Sequence, residues 1–133
     1  MTIRRATAAD GPGLIDIWER SVRATHRFLD EIAIQALLPQ VRAYLTGNAE
    51  LWVLVDDDTV VGFMGLSAGS IDALFLSPEA TGRGGGRQLV SWARALRGDL
   101  TVDVNEQNPE AQRFYEKCGF IVTGRSDTDD QGR

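Results

Sequence analysis

The segment Thr81-Gly82-Arg83-Gly84-Gly85-Gly86-Arg87 limits the folds open to this chain more than any other. Ile71-Asp72-Ala73-Leu74-Phe75-Leu76 precedes it and reads as a strand, whereas Gln88 to Leu96 repeats apolar residues at helical spacing. Strand, glycine turn and helix in succession describe one α/β unit. Four glycines let the backbone turn tightly and keep side chains away from an approaching ligand. Unpaired amides at the helix start, with the positive dipole end behind them, suit an anion. Arg83 and Arg87 add charge-assisted donors. The segment is therefore expected to hold phosphate rather than to serve as a plain surface turn.

Two common phosphate loops are excluded by the residues themselves. A nucleotide-hydrolase loop needs Gly-Lys-Ser/Thr, and here Gly86 is followed by Arg87 and Gln88. A dinucleotide fingerprint from Gly82 needs glycine at position 87, which is arginine; one from Gly84 needs glycine at position 89, which is leucine. A second segment, Asn108-Pro109-Glu110-Ala111-Gln112-Arg113-Phe114-Tyr115-Glu116-Lys117-Cys118-Gly119-Phe120, carries its own physics. Asn108 suits an N-cap, Pro109 the first helical position, and Gly119 a left-handed C-terminal cap. Ala111, Phe114, Tyr115 and Cys118 give one apolar face.

The loop from Thr81 to Gly86 resembles the pyrophosphate loop of the GCN5-related N-acetyltransferases (GNAT), Gln/Arg-x-x-Gly-x-Gly/Ala, at both later glycines, and departs from it at Thr81. The second segment resembles that family's Asn-x-x-Ala-x-x-Phe-Tyr-x-x-x-Gly-Phe signature. Together, in this order, they make the chain similar to small bacterial members from residue 2 to about 130. The resemblance implies an α/β fold of the α+β type, with a mixed, mostly antiparallel twisted sheet flanked by about four helices.

Composition agrees with one domain over residues 1–133, since 43% apolar content supplies a sizeable core. No apolar run approaches the length that spans a bilayer, and Met1-Thr2-Ile3-Arg4-Arg5 lacks the apolar stretch of a signal peptide. Lone Cys118 forms no internal disulfide, so a reducing, cytoplasmic setting is expected; with His26 the only histidine, a structural zinc site is not. A net charge of −5 argues against a nucleic-acid surface and favours cationic acceptors such as amines. The expected elements are β-α-α-β-β-β-α-β-α-β. Strands fall near 2–6, 51–55, 60–66, 71–76, 100–105 and 120–125, with Pro39 bending or splitting the second helix.

The family resemblance implies acetyl transfer from acetyl-CoA directly to a primary amine of a small molecule or a peptide, with no metal. The strands near 71–76 and 100–105 would part to admit the pantetheine arm, pairing it with backbone groups of Leu74, Phe75 and Leu76. Gly82, Arg83, Gly84, Gly85, Gly86 and Arg87 would hold the pyrophosphate, with Asn108 beside the cofactor. Tyr115 would protonate the leaving thiolate, although an aromatic at helical spacing also fits a core position. Asp103 is the first choice of general base, with Asp72 and Glu106 as rivals. His26 and Phe28, between the first two helices, and Asp72 would face the acceptor.

A non-catalytic acyl-CoA-binding or sensing module on the same scaffold is the alternative, motivated by Thr81. The resemblance also implies one further strand after 120–125, inserted beside 100–105, and the sequence stops before any such apolar run. A shortened product is the favoured explanation and an edge-closing homodimer the second, so the protein is expected to be a monomer or a homodimer.

Overall fold

The computed structural model describes residues 1–25 and 29–124. Strand β1 (Thr2–Arg5) leads through a 3-10 turn, Ala8–Asp10, into α1 (Gly11–Thr25). There follow α2 (Glu31–Thr46), β2 (Glu50–Asp56), β3 (Thr59–Ser67) and β4 (Ser70–Leu76). A second 3-10 turn, Pro78–Ala80, precedes α3 (Gly85–Arg97), β5 (Thr101–Val102) and α4 (Pro109–Lys117). The strands lie in chain order, β1-β2-β3-β4-β5. All neighbours are antiparallel except β4 and β5, which run parallel. The mixed, mostly antiparallel sheet expected from the sequence is the one formed.

Local chemistry sets most boundaries. Asp10 accepts the Thr7 amide at 2.7 Å and two guanidinium bonds from Arg4 at 2.9 and 3.1 Å, which fixes the entry to α1. Asp30 caps α2 by accepting the Ala33 amide at 2.8 Å. Pro39 lies inside α2 without dividing it, since Ile34, Leu37 and Leu45 bury themselves on both sides of the missing amide. Asp57 and Asp58 both adopt positive φ, 51° and 66°, as a two-residue hairpin between right-twisted strands requires.

The sheet separates two apolar layers. Leu14, Ile17, Val22, Ile34, Leu37, Val53 and Phe63 form one with α1 and α2. Leu54, Met64, Leu89, Val90, Ala93 and Tyr115 form the other with α3 and α4. The adjacent pairs Val53/Leu54 and Phe63/Met64 show how strand alternation supplies both layers.

Two expectations are corrected. The strand expected over 100–105 is only Thr101–Val102. The one expected over 120–125 is not a strand in its described part, 120–124. Phe120 is drawn back onto α4 instead: its amide bonds the Tyr115 carbonyl at 3.0 Å and its ring meets the Tyr115 ring at 5.4 Å. Ile121 and Val122 are left 82% and 64% exposed, so apolar residues there found no ladder to join.

The Arg4–Asp10 pair makes a pH prediction. Hydrogen bonding from the Arg4 guanidinium, opposed by burial, holds the Asp10 carboxyl at about 2. The folded value lies below the unfolded one near 3.9. The pair's contribution is therefore complete above about pH 4 and is lost as pH falls through about 2. In urea titrations, Asp10→Asn is expected to flatten the acid-side loss of stability, by no more than about 1 kcal/mol once solvent screening of the exposed guanidinium is counted. An unchanged pH profile would show that the pair contributes nothing.

Candidate active site

The glycine segment divides its labour. Gly82 and Gly84 take left-handed φ values of 77° and 84°, which turn the chain between the 3-10 turn and α3. Gly85 and Gly86 belong to the helix and are needed for packing: an added Cβ would meet Leu54 Cδ2 at 2.5 Å or Phe114 Cζ at 3.0 Å. The first intrahelical bond runs from the Gln88 amide to the Gly84 carbonyl at 3.0 Å, and Gly84, the N-cap, has no side chain to cap the start. The amides of Gly85, Gly86 and Arg87 thus open outward at the positive end of α3. Arg87 is exposed. Arg83 is instead engaged, 3.0 Å from an Asp56 carboxylate oxygen. The Thr81 hydroxyl turns back to the Pro78 carbonyl at 2.8 Å, so this departure from the family pattern closes the 3-10 turn.

Beside this loop the sheet opens. β4 pairs with β5 only through Ser70↔Thr101 and Ile71↔Val102, whereas on its other side it pairs with β3 as far as Leu76. The β4–β5 ladder ends at Ile71↔Val102, so the stretch of β4 that carries Leu74 and Leu76 lies beyond it. Pairing with β3 shifts from Gly65↔Ala73 to Leu66↔Ile71, leaving Asp72 as the bulged residue where the strands separate.

Helix α4 closes the α3 side of the opening. Asn108 caps it by accepting the Ala111 amide at 3.2 Å. Its end is a Schellman turn: Gly119 has φ 98°, the Gly119 amide bonds Glu116 at 3.0 Å, and the Phe120 amide bonds Tyr115 at 3.0 Å. The cap holds Tyr115 between Phe114 and Phe120, with ring centroids at 5.0 and 5.4 Å. Tyr115 is 9% exposed. Burial, with a smaller push from Cys118, raises its phenol well above the ordinary range, so it carries its proton at neutral pH. Burial likewise raises the Cys118 thiol, against opposing effects of Arg87 and Arg94. A thiol held protonated is a poor nucleophile.

On the other face, a cavity of about 480 Å³ lies against α1 and α2, walled by Trp18, Tyr44, Phe63 and Phe75 and bordered by Asp72 and Asp103. The Asp72 carboxylate accepts hydroxyl bonds from Ser67 and, at 3.2 Å, from Ser70. Two of the three candidate bases therefore share one cavity. Glu106 sits in the turn after β5 and does not line it. Tyr115 belongs to the opposite layer. His26 and Phe28 lie outside the described residues. Sequence reasoning missed Tyr44, although its helical spacing from Leu37 and Val41 could have placed it on the same face. Among the described residues no group of three metal-ligating side chains forms, and no helix is long and apolar enough to cross a membrane.

A parted parallel strand pair beside an uncapped glycine-led helix is the architecture of one acyl-transfer class. The chain belongs to the GNAT acetyltransferases, its residues 47–122 matching the acetyltransferase (GNAT) domain, and it is an N-acetyltransferase acting on amines. It is 48% identical over 134 aligned residues to the peptidyl-lysine N-acetyltransferase YjaB of Salmonella typhimurium, covering 100% of this chain and 92% of that one. The solution structure of apo-form YjaB from Escherichia coli superposes with a TM-score of 0.91 at 48% identity, covering 99% of this chain and 90% of that one. The PaiA N-acetyltransferase of Thermoplasma acidophilum, solved in complex with coenzyme A, is 25% identical with a TM-score of 0.78, covering 97% and 92%.

The packing role of Gly85 is directly testable. Leu54 is fully buried, so the methyl of Gly85→Ala has nowhere to go. Overpacking is expected to cost about 1–3 kcal/mol and to lower the melting temperature accordingly. An unchanged melting temperature would mean that Leu54 yields freely.

Proposed function

We propose that this chain binds acetyl-CoA across the start of α3 and along the open edge of β4, and transfers the acetyl group directly to the side-chain amine of a lysine in a peptide or protein. The observation that carries the reading is the loss of β5 as a partner beyond Ile71, beside a helix start whose N-cap, Gly84, has no side chain to bond the first amides. An extended pantetheine arm can bond Leu74 and Leu76 as an added strand would, with Phe75 between them facing the acceptor cavity. The amides from Gly82 to Arg87 and the exposed guanidinium of Arg87 suit the pyrophosphate. Arg83 contributes after leaving Asp56, or adds only its field. Asn108 orients α4 at the cofactor's edge. Acetyl-CoA is the cofactor throughout the family, and the likeness to a coenzyme A complex supports the same use here.

The two faces of the sheet divide the chemistry. Attack of a neutral amine on the thioester carbonyl gives a tetrahedral oxyanion, which a β4 amide can stabilise. Collapse breaks the carbon–sulfur bond, and the thiolate takes a proton. Tyr115, protonated and on the α3/α4 side, is the donor in this reading. Asp103, bordering the acceptor cavity, takes the amine's proton directly or through water, while Asp72 binds the incoming ammonium. Glu106 stands apart from that cavity and is the weakest of the three carboxylates as a base. His26 and Phe28 remain candidates for acceptor contact on the sequence alone. Lysine as acceptor is supported by the YjaB relative, and a net charge of −5 suits a cationic substrate.

Release of coenzyme A thiol with a lysine peptide tests this reading. Tyr115→Phe is expected to lower turnover by about 10²-fold or more while calorimetric affinity for acetyl-CoA stays within about twofold. Full turnover in that variant would remove Tyr115 from the proton-donor role. Absence of acetyl-CoA binding by the unaltered protein would remove the cofactor site.

A further inference from the structure

Tyr44 lines the cavity wall with a polar side chain that the reaction above leaves unused. Its hydroxyl is buried and, among the described residues, has no hydrogen-bond partner. It rests on β3 at Gly65, where an added Cβ would come within 1.8 Å of the oxygen. Residue 65 must therefore lack a side chain for the phenol to lie there. Gly65 also marks the register shift that makes Asp72 the bulged residue, so the phenol and this carboxylate converge on one irregularity of the sheet. The two groups sense one another: burial first, then the charge of Asp72, pushes the Tyr44 phenol up to about 12. Tyr44 is thus neutral at physiological pH and able to donate one hydrogen bond and accept others.

A sealed hydroxyl without a partner costs stability, and phenylalanine would fill the same space without that cost. Packing alone thus gives no reason for the oxygen. A ligand does. Asp72, held by Ser67 and Ser70, presents negative charge at the cavity's edge, and a primary ammonium drawn to it carries three donors. A carboxylate satisfies part of that set and leaves a donor directed at the wall. Trp18 and Phe75 supply apolar sides of the kind a lysine-like methylene stem would line.

The geometry points to Tyr44 as an acceptor-specificity residue: its hydroxyl and the Asp72 carboxylate form a two-point receptor for the ammonium head of a lysine-like amine, the phenol turning off Gly65 toward the cavity as the amine enters. This rests on the acceptor reading given above for the same cavity. It adds a residue on α2 and explains why β3 carries glycine beneath it. Tyr44 is a positioning residue that touches the amine before it loses its proton, and it takes no part in proton transfer to sulfur.

The test uses n-butylamine, a lysine side chain without its backbone, titrated into the full chain at neutral pH and followed by amide chemical shifts around the cavity. Tyr44→Phe is expected to weaken n-butylamine binding by about five- to tenfold, the worth of one lost hydrogen bond. Its melting temperature should be unchanged or raised, and its acetyl-CoA affinity unchanged. Asp72→Asn should weaken binding further, and Tyr44→Phe should then add less than it does alone, because the two groups grip one ammonium. Equal binding by Tyr44→Phe and the unaltered protein, or no binding of n-butylamine by either, would overturn the proposal. This readout needs no catalysis, so failure of lysine acetylation would be seen separately in thiol release.

Discussion

Everything proposed for this protein depends on the two residue pairs that join β4 to β5 and on the absence of a third. Ser70↔Thr101 and Ile71↔Val102 hold the strands in parallel, after which β4 continues alone to Leu76. A longer ladder would occupy the β4 edge with β5 and leave no extended backbone for a ligand to pair with. No ladder at all would let the segment after α3 drift from the sheet. Beyond Ile71 the strand stays rigid through its pairing with β3, and alternate residues turn their backbone groups to the other edge. An open edge of this kind is a liability unless something covers it. Here the opening lies between two packed helical layers, where a small ligand can cover it.

The surrounding parts serve that opening from both faces. On the α3 side, Gly86 admits the Phe114 ring, and the cap at Gly119 ties Phe120 back over Tyr115. The phenol is buried and protonated there. On the α1/α2 side, the bulge at Asp72 brings a carboxylate to a cavity with aromatic walls. A buried acid on one face and solvated carboxylates on the other is how one fold can run proton donation and proton removal at the same pH.

Features governed by near neighbours in the chain were legible in the sequence. Glycines between a strand and a helix announced α3, and Asn108, Pro109 and Gly119 bounded α4 through capping alone. The buried α1 residues Leu14, Ile17, Trp18, Ser21 and Val22 recur at helical spacing, so that face too is a local property of the chain. Contacts between distant segments were not legible. Arg83 reads as a free donor until Asp56, the last residue of β2, pairs with it. Gly85 and Gly86 read as turn residues until Leu54 and Phe114 pack on them. Phe120 to Gly124 carries enough β-forming character to suggest a strand, yet a strand exists only where a neighbour offers hydrogen bonds. Tyr44 escaped notice because only the fold reveals that Gly65 lies beneath its hydroxyl.

The central claim is that the part of β4 beyond its pairing with β5 and the start of α3 form one cofactor site, and amide hydrogen exchange and chemical shifts during an acetyl-CoA titration test it most directly. The account predicts that the amides of Leu74 to Leu76 and of Gly84 to Arg87 shift together, with one dissociation constant, and become protected against exchange. A response that left both segments unchanged, or one confined to the groove between β1 and α3 around Thr2, Ser91 and Trp92, would contradict it.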